Sequence, residues 1–103
     1  EKYLNKKQLI IIGVQKIMVT GTTLHNTKEA LRLSRIYPDS LYCTAGIHPH
    51  EAKTWTDSSL QDLKSLALNS ECVAVGECGL DYNRDFSPPQ LQREVFEEQV
   101  CVV

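Results

Sequence analysis

Glu77 stands in Val-Ala-Val-Gly-Glu-Cys-Gly-Leu-Asp-Tyr-Asn-Arg (residues 73–84), where an apolar, strand-like run meets a carboxylate flanked by glycines. Val73, Ala74 and Val75 suit a strand buried on both faces, and Gly76 and Gly79 allow another group to approach the backbone closely. Glu77 is then expected to leave the strand end and point toward a site. Two readings are open to it from the residues alone. It pairs with an arginine or a helix N-terminus, as buried acids usually do, or it is a metal ligand. Carboxylates suit hard divalent ions, and a bridging carboxylate can hold the two ions of a phosphoester hydrolase. The second group is Gly-Ile-His-Pro-His (residues 46–50). Pro49 favours an extended His48, whose imidazole can hydrogen-bond its own loop, bind phosphate, bind metal or position a water. His50 is the weaker candidate, and His25, at a helix start, is read as solvated. Asp81 and Arg84 either clamp their loop by pairing with each other, or Arg84 holds a phosphate oxygen through its planar donor fork. Tyr82 is close enough in sequence to contact a substrate, and Trp55 is a core or rim aromatic.

These groups need elements to position them. Three strand candidates, residues 16–20, 41–45 and 72–77, alternate with three helix candidates, the order expected of parallel βα units. The first helix is predicted to start at an Asn26 cap, with Glu29 three residues on, and to stop at Pro38. Its inward positions are Ala30, Leu33 and Tyr37, with Leu31 and Ile36 at the margins. The second starts near Ser58 with Leu60, Leu63, Leu66 and Ala67 as its apolar stripe. The third starts at Ser87-Pro88-Pro89-Gln90, with serine as cap and proline at the first helical position, and turns Leu91, Val95 and Phe96 inward. Right-handed crossovers place these helices on one face of the sheet. Residues 2–12 admit two readings, a buried strand over residues 9–12 or a helix whose end Gly13 suits, and the helix is the one taken. All three polar groups then fall at the carboxyl ends of strands, where parallel α/β folds build their sites.

Composition narrows the class. The chain has 103 residues, 42% hydrophobic and 23% charged, typical of a globular protein and not of a disordered one. The longest apolar run, residues 9–12, is far short of the roughly 18 that suggest a membrane span, so no membrane partner is expected. A net charge of −2 and a pI of 5.9 lack the basic footprint of a module that holds DNA by electrostatics alone. Bound divalent metals can reverse that balance at a phosphate-processing site. Cys43, Cys72, Cys78 and Cys101 show no paired zinc or dithiol spacing, and Cys43 and Cys72 read as small core residues in a reducing compartment. The expected location is the cytoplasm, with the nucleus second.

Gly-Ile-His-Pro-His (46–50), Val-Ala-Val-Gly-Glu-Cys-Gly-Leu-Asp-Tyr (73–82) and Ser-Pro-Pro-Gln-Leu-Gln-Arg-Glu-Val-Phe (87–96) together resemble the TatD family of metal-dependent deoxyribonucleases. Val-Thr-Gly-Thr-Thr-Leu (19–24) fits the same family's earlier strand and loop, and the resemblance is strongest over residues 13–100. It implies an α/β fold, three parallel βα units from the N-terminal part of a TIM-type (β/α)8 barrel of the amidohydrolase-like superfamily. It further implies hydrolysis of DNA phosphodiester bonds with two divalent ions, magnesium or manganese, with zinc as the other candidate. By the match, Glu77 is the metal-bridging carboxylate and His48 the catalytic histidine. His50, Asp81, Tyr82 and Arg84 lie on the substrate side.

A barrel needs eight strands and about 250 residues. Residues 1–103 are therefore expected to be a partial TatD-type hydrolase domain. Glu1 is not an initiator methionine, and the last helical pattern stops at Cys101-Val102-Val103 without a capping signal, so both ends are expected to be cut or altered. The family's first strand and the later strands, with the remaining metal ligands, are missing from this pattern. One carboxylate and one histidine cannot hold two ions in fixed geometry, so little or no activity is expected of the chain alone. The alternative is a noncatalytic product that associates through an exposed sheet edge. A third reading, a thiol-dependent enzyme using Cys78, lacks a basic partner near that residue in sequence.

Overall fold

A three-residue strand, β1 (Ile17–Val19), opens the first βα unit and feeds α1 (Leu24–Ile36). The computed structural model describes Gln8 and residues 11–103. Most of the helix expected over residues 2–12 lies outside the described residues; Gln8 and Ile11 are helical, with the Ile12 N–H donating to the Gln8 carbonyl at 3.2 Å. The chain continues through β2 (Leu41–Ala45), a 3-10 helix (Pro49–Thr54), α2 (Ser59–Ala67), β3 (Cys72–Val75) and α3 (Pro89–Val100). Among the described residues no helix is long and apolar enough to cross a membrane.

Thr23, not Asn26, caps α1. Its extended backbone lets the hydroxyl accept the Asn26 N–H at 2.9 Å, while Asn26 Oδ1 reaches back to the Thr22 N–H at 2.9 Å. The cap is set three residues earlier than the sequence pattern suggested, and Asn26 braces the residue before it. The helix ends before Tyr37, whose backbone leaves the helical region because Pro38 follows it. The buried face of α1 is Thr27, Ala30, Leu31 and Ser34, so Leu31 is central, while Ile36 and Tyr37 are exposed. Ser34 sits in this apolar face because its hydroxyl donates to the Ala30 carbonyl at 2.8 Å.

Among the described residues the sheet has the order β1-β2-β3, parallel throughout. Val19 pairs with Cys43 and Cys43 with Cys72, and all three pack with Ala30, Leu31 and Leu66 of the helices above. Cys43 is fully buried and Cys72 partly so, as small core residues. The register slips between Cys43 and Thr44, so that Cys43 faces Cys72 and Thr44 faces Ala74. Val73 is the unpaired extra residue of this bulge. The expectation that Val73, Ala74 and Val75 are buried on both faces therefore fails: Val73 is 49% exposed and Ala74 is exposed. They lie on an outer strand, and the sheet face carrying Met18, 56% exposed, has no cover among the described residues. β3 also stops at Val75, and the Gly76–Glu77 peptide beyond it is cis.

The first two helices cover the same strand and touch each other, as right-handed crossovers require. The third differs, because α3 packs mainly on the 3-10 helix at the carboxyl end of the sheet. There Ile47, Ala52 and Val95 form a second small core with Leu24, Trp55 and Leu91 against it. Burying Ile47 alone is worth about 1.5–3 kcal/mol, so this core anchors the loop that follows β2. Ser87 does not cap α3. Pro88 occupies the cap position with Pro89 behind it, and the buried Ser87 hydroxyl instead donates to the His50 carbonyl at 3.0 Å and accepts the Lys53 N–H at 3.0 Å.

Candidate functional site

The three strand exits are stitched together by their backbones. Gly76 N–H donates to the Ala45 carbonyl at 2.8 Å, Glu77 N–H to the Gly21 carbonyl at 2.8 Å, and His48 N–H to the Thr22 carbonyl at 2.9 Å. Glycine permits this, though at different positions from those expected. A Cβ on Gly46 would stand 2.4 Å from the Gly76 carbonyl carbon, and one on Gly21 2.3 Å from the Thr44 oxygen. Gly76 is the group that approaches Gly46, and a Cβ on Gly79 meets nothing within 4 Å, its φ of +137° being the reason for glycine there.

His48 leaves this junction with an extended backbone, φ −60° and ψ 145°, as its following proline demands. Its Nδ1 accepts the His50 backbone N–H at 3.1 Å. A backbone N–H can only donate, so Nδ1 holds a lone pair and the proton of the neutral ring sits on Nε2. Nε2 lies 3.4 Å from Glu77 Oε1. That separation is long for a hydrogen bond, and the Glu77 side chain is 57% exposed, so the contact is a weak, solvent-screened pairing that leaves both groups available. The edge-on packing of the His48 and His50 rings, centroids 4.3 Å apart, further limits how the imidazole can turn.

His50 and Asp81 are already committed to each other. His50 Nε2 donates to Asp81 Oδ2 at 2.8 Å, and the ring stacks edge-on against Phe86 at 4.9 Å. The His50 hydrogen bond, with help from the Arg84 and Asn83 backbone N–H groups, holds the Asp81 carboxyl below its ordinary range. The expected Asp81–Arg84 clamp thus exists in another form: Asp81 Oδ1 accepts the backbone N–H of Arg84 at 3.2 Å and of Asn83 at 3.1 Å, as an Asx-type turn. The carboxylate thus takes His50 through Oδ2 and the turn backbone through Oδ1, while Arg84 is exposed. Tyr82 is 50% exposed, its phenol oxygen accepting from Arg93 Nη1 at 3.4 Å. His48 and Glu77 therefore meet, His50 and Asp81 brace the adjoining loop, and Tyr82 and Arg84 stand at its rim. Burial, then the negative charge of Glu77, pushes the Cys78 thiol up, the opposite of what a nucleophilic cysteine needs.

Two residues that sequence reasoning passed over hold the arrangement. Gln92 and Gln99 of α3 are each 1% exposed. Gln92 Oε1 accepts the Asp81 N–H at 2.9 Å, and its Nε2 donates to the Ser87 carbonyl at 2.9 Å. Gln99 Oε1 accepts the Ile47 N–H at 2.8 Å, and its Nε2 donates to the Ile47 carbonyl at 3.0 Å. A signal was present: both glutamines share the helical stripe of Val95, and an uncharged amide on an apolar face needs buried polar partners.

Among the described residues no three His, Cys, Asp or Glu side chains converge as a metal cage. His48 and Glu77 alone do not fit a resident divalent ion, because two side-chain ligands fall short of the three or four that even a four-coordinate zinc takes from protein, and a six-coordinate magnesium or manganese is held more weakly still.

The TatD related DNase family model matches residues 7–102. A 3'-5' ssDNA/RNA exonuclease TatD from Musicola paradisiaca is 46% identical over 90 residues, 87% of this chain and 34% of the relative. One of the same description from Pectobacterium atrosepticum is 40% identical over 102 residues, 95% of this chain and 39% of the relative. The chain thus spans about a third of the length of the curated relatives it matches. Among solved structures, YJJV, a TatD homologue from Escherichia coli K12, superposes with a TM-score of 0.78 at 34% identity, over 87% of this chain and 35% of that one. A TatD family hydrolase from Entamoeba histolytica gives 0.77 at 28% identity, over 87% and 33%.

Proposed function

Because the chain belongs to the TatD related DNase family, we propose that it is the portion of a nucleic-acid phosphodiesterase that carries His48 and Glu77. Its three βα units are part of a TIM-type barrel. The observation that carries the reading is the approach of His48 Nε2 to Glu77 Oε1, 3.4 Å, at the carboxyl ends of neighbouring parallel strands. DNA is the proposed substrate. In the complete barrel the Nε2–H of His48 is placed to donate to a phosphoryl oxygen, with His50 and Asp81 supporting its loop and Tyr82 and Arg84 facing the substrate strand.

Proteins of the TatD and amidohydrolase type generally use divalent metals. An exposed carboxylate beside a phosphodiester repels it, so the reading includes cations at Glu77. We propose two, magnesium or manganese ahead of zinc, with the remaining ligands supplied by barrel strands beyond this chain. His48 and Glu77 do not hold such an ion unaided.

The test is manganese-dependent cleavage of a single-stranded oligodeoxynucleotide by the 103-residue chain and by the chain extended to the length of its relatives. The extended chain is expected to cleave and the short one not. His48→Ala should slow the extended chain by about 10²–10⁴-fold, and Glu77→Gln should abolish its activity. Undiminished cleavage after Glu77→Gln would overturn the assignment.

A second reading, association through a sheet edge, is favoured by one observation: among the described residues β1 and β3 are the outer strands, and Met18 and Val73 stand 56% and 49% exposed on them. Sedimentation showing a monomer at all concentrations would remove it.

A further inference from the structure

The geometry points to Gln99 as the positioning residue of His48, a role that rests on the reading of His48 as the group that meets the phosphate. Ile47 has already left the sheet, since β2 ends at Ala45. Its N–H and carbonyl are nevertheless both paired, at 2.8 and 3.0 Å, by a single side-chain amide from a helix 52 residues away. A glutamine amide presents one face of a peptide group, acceptor beside donor, so Gln99 serves Ile47 as the next strand of the sheet would. The following residue is then held on both sides. His48 N–H donates to the Thr22 carbonyl at 2.9 Å, and its carbonyl accepts the Glu51 N–H at 2.8 Å. With both peptides fixed, the Cα–Cβ direction of His48 is set, and from it Nδ1 takes the His50 N–H while Nε2 comes within 3.4 Å of Glu77.

A side chain that only filled space here would not need an amide, because methionine has nearly the same volume. Gln92 supplies the internal comparison. It is equally buried on the same helix, but its amide pairs with Asp81 and Ser87 and so acts on the other loop.

The experiment uses the chain as it is, without metal or nucleic acid. In the unaltered protein the Ile47 amide should exchange with solvent at least about a hundredfold more slowly than an unprotected amide. Imidazole ¹⁵N spectra should place the proton of neutral His48 on Nε2 alone. In Gln99→Met the His48 proton should be shared between both ring nitrogens while the His50–Asp81 resonances stay in place. Gln92→Met should do the reverse. A folded Gln99→Met protein with an unchanged His48 tautomer overturns the proposal. Where that variant does not fold, exchange in the unaltered protein decides: a protected Ile47 amide supports the clamp, and free exchange overturns it. Failure of these readouts leaves the nuclease reading intact. An extended chain that holds the His48 tautomer yet cleaves nothing overturns the nuclease reading alone.

Discussion

Replacing Gly46 with alanine tests whether the junction of the strand exits is as tight as its backbone distances state. The new methyl would lie 2.4, 2.6 and 2.7 Å from the carbonyl carbon, oxygen and Cα of Gly76. Carbon contacts settle near about 3.5–4.0 Å, so the strand ends must part by about 1 Å, and no rotamer change can absorb it because every clashing atom is backbone. That displacement stretches the Gly76–Ala45 and Glu77–Gly21 hydrogen bonds, each 2.8 Å, out of bonding range. Overpacking costs about 1–3 kcal/mol and the two bonds about 1 kcal/mol each, offset by about 0.4–1 kcal/mol from the stiffer unfolded chain. The net loss is about 3 kcal/mol, roughly a hundredfold in the folding equilibrium, and lowers a urea midpoint by about 2 M. Gly79→Ala is the control, since its methyl meets nothing within 4 Å and its cost is only the backbone conformation at φ +137°, about 1–3 kcal/mol, with the His48–Glu77 contact kept. A Gly46→Ala midpoint within about 0.3 M of the unaltered protein, with the His48–Glu77 contact intact by NMR, would refute the packing argument.

Ser87→Ala should destabilise by about 1–3 kcal/mol in chemical denaturation, because it removes both hydrogen bonds of the buried hydroxyl, the one accepted from the part-buried Lys53 N–H and the one donated to the His50 carbonyl. Asp81 titrates below its ordinary value because His50 donates to it, so its contribution to stability is complete above that value and is lost as pH falls through the lower, folded one; in His50→Ala, which leaves no donor there, an NMR titration should place its midpoint higher, and an unchanged midpoint would refute the cause. Burial pushes the Cys43 thiol up to about 11, so alkylation near pH 8 followed by mass spectrometry should label exposed Cys101 first and Cys43 last; equal rates would contradict the buried placement.

Local chemistry carried much of the architecture. β2 runs over Leu41–Ala45 as its residues indicate, Pro38 stops α1, Pro89 opens α3, and Pro49 sets the extended His48. Each is decided within a few residues, by φ restriction or by apolar periodicity. The Asn26 pattern at the start of α1 placed the cap three residues late, since only the extended backbone at Thr23 makes its hydroxyl the one that accepts the Asn26 N–H.

From its residues alone, this protein had its βα order, its family resemblance and the location of its polar groups at strand ends legible. Which groups meet was not, because the decisive pairs are remote: His50 with Asp81 across 31 residues, Ser87 with His50 across 37, and Gln99 with Ile47 across 52. The same holds for glycine. Gly76 and Gly79 flank the carboxylate and drew attention, whereas the close approach falls at Gly46 and Gly21, where another segment's backbone arrives. Sequence determines which donors, acceptors and small residues a segment offers; only the folded chain decides what stands opposite them, since hydrogen bonds and steric contact act over a few ångströms regardless of separation along the chain.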